Sequence, residues 1–266
     1  MPIYSFIDPV AFHIGSWPIY WYGLMYLLSF AACWTVLAWR IKRNKNLLSP
    51  ITSEQLSDLV FYIALGVILG GRLGYMIFYN WQGLFVDPLL IFQTWKGGMS
   101  FHGGLIGVII AMLFYARKNN LALINLTDFI APAIPIGLAA GRLGNFINGE
   151  LWGHVTTAPW GIIFPNAGQA PRHPSQLYEL ILEGVVLFII LWLFSRSPRP
   201  RGAVSGLFLL GYGLFRCSSE FFREPDIQIG YIAFDWVTEG QLLSLPMIML
   251  GIGLLIWAYR RKGIAT

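Results

Sequence analysis

Charge is what this sequence has least of. Of its 266 residues only 12% are Asp, Glu, Lys or Arg, whereas 56% are hydrophobic. A soluble domain carries about 25% charged residues, so this composition excludes one; the apolar excess is surface that has to face lipid. Cysteine and histidine are nearly as scarce. Cys33 and Cys217 lie inside long apolar stretches without metal-ligand spacing, which excludes a disulfide framework and points to packing thiols. His13, His102, His154 and His173 form no HExxH or comparable pattern, so a zinc site is not expected. GxSxG is absent, and Ser175 in "RHPSQ" has no visible partner beyond His173, which argues against a serine hydrolase. The first residues, "MPIYSFIDPVAFHIGSWPIYWYG", lack the basic region of a cleavable signal peptide. They read instead as a short outer segment along the membrane interface. Repeats, low-complexity tracts and long linkers are missing too, so the chain is expected to form a single integral membrane domain over 1–266.

Long apolar runs are abundant. Crossing a bilayer takes about 20 mostly apolar residues, and seven stretches qualify: 19–39, 58–79, 99–116, 127–147, 177–195, 203–222 and 239–259. The expected fold is therefore an all-α polytopic membrane protein with about seven transmembrane helices and a small outer loop region. The short segments at 40–46, 117–120, 196–202 and 260–266 would share one side. They hold Arg40, Lys42, Arg43, Lys45, Arg117, Lys118, Arg196, Arg199, Arg201, Arg260, Arg261 and Lys262, twelve of the chain's 18 basic residues. Basic residues accumulate in cytoplasmic loops, which places the N-terminus outside and the C-terminus in the cytoplasm. The net charge of +5 is then a consequence of topology, and no basic patch is left over for nucleic acid. Eight tryptophans (17, 21, 81, 95, 152, 160, 236 and 257) fall near span ends, as an aromatic belt requires.

Three outer segments remain, at 80–98, 149–176 and 223–238. The second is rich in Gly and Pro and reads as ordered loop or short strand. Within the spans, Gly66, Gly70 and Gly74, then Gly103 and Gly107, then Gly137 and Gly141, stand at the spacing that lets helices approach closely in lipid. Packing is the expected role for all three runs.

Against this background the ionisable groups inside spans stand out: Arg72, Arg142, Arg216, Glu179, Glu183 and Glu220, with His102 at the start of the third span. Such groups face protein or a wet cavity, and each is a functional candidate. A structural ion pair is the alternative, and for Arg72 and Arg216 both readings stand. Glu179 and Glu183 share a helix face and read rather as bonds to other spans. His102, in "MSFHGGLIG", has the side chain suited to move protons near neutral pH; a structural histidine is the competing reading. The densest polar stretch is "AAGRLGNFINGELWG", 139–153. There Arg142, Asn145, Asn148 and Glu150 crowd the outer end of the fourth span between glycines. The planar fork of arginine suits bidentate phosphate binding, so these residues suggest a site for an anionic headgroup at the outer interface. Unaided, they name no reaction. An anion transporter could use the same arginines, although no inverted repeat is visible. A purely structural scaffold would leave the polar cluster unexplained.

"GRLGNFINGELWG" closely resembles the signature of the bacterial prolipoprotein diacylglyceryl transferases. The similarity extends through "YWYGLMYL" (20–27), "LGGRLGYMIFYN" (69–80), "GGMSFHGGLIG" (97–107), "PRHPSQLYELILEG" (171–184), "GAVSGLFLLGYGLFRCSSEFFREPD" (202–226) and "GQLLSLPM" (240–247). The resemblance implies an enzyme of the bacterial inner membrane with its active site towards the outer face. It implies transfer of the diacylglyceryl group of phosphatidylglycerol to the lipobox cysteine of preprolipoprotein signal peptides, with glycerol 1-phosphate leaving. Residues carried over are Tyr22, His102, Arg142, Asn145, Glu150, Gly153 and Arg223. Arg142, Arg223, His102 and Glu150 would be catalytic; Arg142, Asn145, Tyr22 and Gly153 would bind phosphatidylglycerol. No metal or diffusible cofactor is implied.

Overall fold

The computed structural model describes residues 7–43, 51–93, 97–225 and 230–261. Lys45, Trp95 and Lys262, and parts of the loops assigned above to either side of the membrane, lie outside the described residues. The protein is mostly helical.

The chain opens with an antiparallel hairpin, β1 (Val10–Ile14) and β2 (Trp17–Tyr20), which turns at Gly15 with φ of 61° and runs straight into α1 (Trp21–Arg43). The outer segment read from the sequence is thus a small β-ribbon, tied to the helix by Trp21 N–H donating to Pro9 O at 3.0 Å. α2 (Ser53–Tyr79) starts earlier than its apolar pattern, because Thr52 and Gln55 form a reciprocal capping box that nucleates another turn. Its C-terminal end continues into α3 (Trp81–Val86) and a 3₁₀ turn, Pro88–Phe92. α4 (Phe101–Lys118) is capped by the Ser100 hydroxyl, which accepts from Gly103 N–H at 3.2 Å. The expected span at 127–147 is broken: α5 (Leu123–Ile130) and α6 (Ile134–Asn148) meet at 54°. Pro132 and Pro135 supply no backbone N–H and clash with the preceding turn, which ends α5 and starts α6 afresh. The run at 175–194 is continuous but not uniform. α7 (Ser175–Glu179) passes through a π-helical turn, Leu180–Val186, into α8 (Leu187–Phe194). α9 (Ala203–Glu220) and α10 (Glu239–Arg260) follow, the latter with its own capping box at Thr238 and Gln241.

Among the described residues, five of the helical runs are long and apolar enough to cross a membrane, and the bent α5–α6 pair makes a sixth. α9 falls short because its last turns carry Arg216, Ser218, Ser219 and Glu220. The flanks of these helices are apolar and exposed, as at Phe61, Leu69, Ile77, Ile110, Met249 and Leu250, the property expected of helices solvated by lipid.

The chain divides into two compact units. The one formed by 38–45 and 49–126 is built on α2 against α4. A Cβ on Gly74 would lie 2.6 Å from the Gly103 Cα, and one on Gly66 2.6 Å from the Gly107 carbonyl oxygen, so only glycine permits this approach. Arg72 is buried here and donates to the carbonyls of Leu90, Ile91, Gly97 and Gly98. The structure thereby gives Arg72 a scaffold role: it satisfies four carbonyls of an irregular segment, which would be costly to leave unpaired in an apolar setting.

The second unit contains residues up to 37 and from 127 onwards. α9 packs on α10 where a Cβ at Gly251 would come within 2.8 Å of Gly206 O. Asp128 caps the start of α9 from a distance in sequence, accepting from Gly202 N–H (2.6 Å), Ser205 N–H (2.8 Å) and the Ser205 hydroxyl (2.6 Å). Ala131, Leu187, Leu191 and Val204 form an apolar cluster beneath. The thiol of Cys33 donates to Ala133 O at 3.2 Å, a packing position.

Candidate active site

The second unit gathers six of the seven residues singled out from the sequence. α6 carries Arg142 and Asn145 and ends at Gly149, whose φ of 64° turns the chain sharply so that Glu150 folds back on the helix. Asn145 Nδ2 donates to Glu150 Oε1 at 2.8 Å and Asn148 Nδ2 to the same oxygen at 3.3 Å. Gln176 Nε2 holds the Glu150 carbonyl. Glu150 is therefore fixed by two amides through one oxygen, and Oε2 has no hydrogen-bond partner among the described residues. Tyr22, at the start of α1, lies within electrostatic reach of Glu150 and Arg142. It comes there because Gly144 has no side chain: a Cβ would stand 2.9 Å from the Tyr22 ring. Gly137 likewise meets Ser29, but Gly141, expected to pack, faces open space.

Arg142 is tied to two carboxylates. Its Nε lies 2.8 Å from Glu179 Oε2 and its Nη2 3.4 Å from Glu183 Oε2. Arg216, on α9, pairs with Glu179 and Glu220 and lies 3.9 Å from Glu183. Arg223, just beyond α9, reaches Glu179 Oε1 at 3.5 Å and Glu220 Oε1 at 3.9 Å. Three arginines thus interlock with three carboxylates, so the formal charges cancel. Cancellation matters here because Glu179, Glu183 and Glu220 are all buried, and an unpaired charge away from water is costly. Glu179 touches all three arginines. Of these, Arg216 is held by all three carboxylates, whereas Arg142 meets two of them through Nε and Nη2 and, among the described residues, keeps its Nη1 donors for an additional anion. Glu183 sits in the π-helical turn, a distortion frequent at functional sites.

Sequence reasoning treated Glu179 and Glu183 as bonds between spans and left Arg216 open. Their assembly into one cluster with Arg142 and Arg223 was not read from it. The available signal was the spacing of Glu179 with Glu183 and of Arg216 with Glu220, each one turn apart on a helix otherwise apolar.

Gly153 lies in the loop that follows α6, where residues 152–154 run between two short extended segments. On one side Glu224 N–H donates to Trp152 O (3.2 Å) and His154 N–H to Phe222 O (3.0 Å); on the other Gly153 N–H donates to His173 O (2.8 Å). A Cβ at Gly153 would stand 2.7 Å from His173 Cβ, so the three segments close up only around glycine. This packing requirement accompanies the headgroup contact that the resemblance implies. The loop expected at 149–176 is accordingly ordered by isolated β-bridges. His173 is itself locked: Trp160 Nε1–H donates to the Tyr178 hydroxyl at 2.7 Å, which leaves that hydroxyl's proton for His173 Nδ1 at 2.9 Å. Burial, and secondarily His154 nearby, hold the His173 pKa below its ordinary value, which favours the neutral ring this arrangement needs.

His102 belongs to the other unit, in the first turn of α4, exposed and without a hydrogen-bond partner among the described residues. Its ring meets that of Phe101 edge-on at 5.6 Å.

Residues 9–257, nearly the whole of this architecture, match the family model described as prolipoprotein diacylglyceryl transferase. The chain belongs to the prolipoprotein diacylglyceryl transferase family. Curated relatives agree. A phosphatidylglycerol–prolipoprotein diacylglyceryl transferase of Coxiella burnetii (strain RSA 331 / Henzerling II) is 58% identical over 98% of this chain and 99% of its own length. Proteins of the same name from Pseudomonas paraeruginosa (strain DSM 24068 / PA7) and Pseudomonas aeruginosa (strain LESB58) are each 56% identical, over 98% of this chain and 97% of theirs. Membership of this diacylglyceryl transferase family makes the chain a membrane-embedded transferase, and the transporter and scaffold readings lapse.

Proposed function

We propose that this protein transfers the diacylglyceryl group of phosphatidylglycerol to the lipobox cysteine of preprolipoprotein signal peptides. The supporting observation is the arginine–carboxylate cluster at the end of the membrane helices, in a chain whose relatives are named for this donor and this acceptor. The sulfur attacks the glyceryl carbon that carries the phosphate. A C–S bond forms, the C–O bond breaks, and the phosphate leaves as glycerol 1-phosphate with the bonding pair. Atoms and electrons balance without a redox or group-carrying cofactor. Arg142 and Arg223 bind the phosphodiester and neutralise the charge that gathers on the departing oxygen. Tyr22 and Asn145 orient the headgroup by hydrogen bonds, with Gly153 beside them. The test is direct: purified protein, phosphatidylglycerol and a lipobox peptide should yield a peptide heavier by one diacylglyceryl group. A cysteine-to-serine peptide should stay unmodified, and an unchanged cysteine peptide would refute the proposal.

The thiol must lose a proton, because the thiolate is the nucleophile. His102 is the proposed base and Glu150, whose Oε2 has no hydrogen-bond partner among the described residues, the second reading. A cysteine thiol has an unperturbed pKa of about 8.5, so a base matters most near neutral pH. His102→Gln should be slow at pH 7 and recover part of its deficit relative to the parent as pH rises towards 9. A constant fractional rate across that range would make His102 a positioning group and pass the role to Glu150.

The topology proposed with this function has seven spans, α9 included, with the N-terminus outside and the site towards the outer face of the bacterial inner membrane. Thr157 and Ser197 are both exposed. In a background lacking Cys33 and Cys217, Thr157→Cys should react with an impermeant thiol reagent from outside and Ser197→Cys only after the membrane is opened. Labelling of both from outside contradicts the arrangement.

A further inference from the structure

The motif "RHPSQ" has no part in the reaction proposed above, yet its last two residues are fully buried. Ser175 and Gln176 open α7 and are 0% exposed. Both side chains reach back to the loop after α6. The Ser175 hydroxyl donates to Leu151 O at 2.8 Å, and Gln176 Nε2 donates to Glu150 O. These two carbonyls belong to the turn in which Gly149 and Leu151 both take left-handed backbone, with φ of 64° and 60°. Glycine adopts that conformation freely; a side chain as bulky as leucine takes it only where its surroundings impose it. The imposing contacts are these hydrogen bonds. The carbonyls of Glu150 and Leu151 lie in the two peptide planes on either side of the Leu151 Cα, so fixing both planes fixes its φ and ψ. Glu150 N–H donates to Asn145 O at 3.1 Å, so all three peptide planes around Glu150 and Leu151 are held.

We infer that Gln176, together with Ser175, is a positioning residue for the headgroup site: it locks the strained turn at Leu151 and thereby sets the Glu150 carboxylate. The inference rests on the role given above to Asn145. Glu150 Oε1 takes the Asn145 amide N–H at 2.8 Å, which leaves Asn145 Oδ1 as the acceptor for a headgroup hydroxyl. A turn free to relax towards ordinary backbone at Leu151 would swing Glu150 away and release that amide. Stability alone does not explain a glutamine here. Its Oε1 is buried without a hydrogen-bond partner among the described residues, a cost that an apolar side chain of the same size would avoid. Glu179 follows three residues later on the same helix face. One helical turn therefore holds both the Glu150 turn and the carboxylate shared by the three arginines, which keeps the two halves of the site in register.

The test compares Gln176→Met and Ser175→Ala with the parent in the full-length protein, using phosphatidylglycerol vesicles and a lipobox peptide, and then adds Leu151→Asn to each. Methionine keeps the length of glutamine and lacks the donor; asparagine accepts left-handed backbone more readily than leucine. Gln176→Met and Ser175→Ala should each lower kcat about tenfold, because small misplacements of a positioned group are costly. KM for phosphatidylglycerol should stay close to that of the parent, since the arginines still take the phosphate, and the thermal midpoint should hardly move. Adding Leu151→Asn should restore most of the lost rate, because the turn then no longer has to be imposed. Parental kcat in both single variants, a loss confined to KM, a loss that follows the thermal midpoint, or no recovery on adding Leu151→Asn would overturn the inference. Failure of both single variants to fold would overturn it too, by making the pair a folding requirement. An inactive parent protein would instead refute the functional reading beneath it.

Discussion

Glu179→Ala is expected to cost about 3–5 kcal/mol of stability, the range for removing one partner from a buried ion pair, and to abolish measurable transfer. Glu179 is the carboxylate that Arg142, Arg216 and Arg223 share, and it is fully buried. Its loss leaves three guanidinium groups facing two carboxylates, so a positive charge is stranded away from water. The arginines should then move apart or draw in water, and either outcome removes the fixed donors. Glu179→Gln separates the two consequences. It keeps shape and one acceptor, so more folded protein should survive than with alanine, while the rate stays low because the arginines are no longer held by charge. Thermal unfolding in detergent alongside the transfer rate checks both. A Glu179→Ala protein with parental stability and rate would mean that the cluster is ornamental.

Arg142→Lys should lose about a hundredfold in kcat, the scale on which removing one preorganised donor acts, yet insert and fold. Lysine preserves the charge and so the neutrality of the cluster. It cannot preserve the fork. Arg142 meets Glu179 through Nε and Glu183 through Nη2, and a single ammonium cannot hold both and still face a phosphate. Rates and KM for phosphatidylglycerol, measured on protein shown to be folded, decide the matter. Full activity would show that a diffuse positive field suffices. Arg72→Lys is the useful comparison. Arg72 serves four carbonyls of its own unit, so its replacement should reduce the amount of folded protein rather than turnover per folded molecule.

Much of this architecture was legible because lipid imposes a simple rule on sequence. Apolar runs of the right length gave α1, α2, α4 and α10 within a few residues. Departures have local causes. Thr52 and Gln55 lengthen α2 by a capping box that hydropathy does not weigh. Pro132 breaks what reads as one span into α5 and α6. The β1–β2 hairpin hides among aromatic residues and Pro18, where the alternation of a strand is too short to register. The site was legible in kind more than in arrangement. Arg142, Asn145 and Glu150 cluster in sequence and also in space, since one helix end and one glycine turn suffice to join them. The partnership of Glu179 with three arginines joins four separate elements, and no spacing rule reaches across them. The packing of Gly153 was hidden for the same reason: the groups that forbid its side chain, at Phe222 and His173, come from distant stretches.

The central claim is that sulfur displaces the phosphate at carbon, and phosphorus NMR tests it most directly. With purified protein, phosphatidylglycerol and a lipobox peptide, the phosphodiester signal should decline as glycerol 1-phosphate appears, one equivalent for each thioether found on the peptide. Release of phosphatidic acid, or a modified peptide that retains phosphorus, would mean that the bond broken lies elsewhere and would contradict the account.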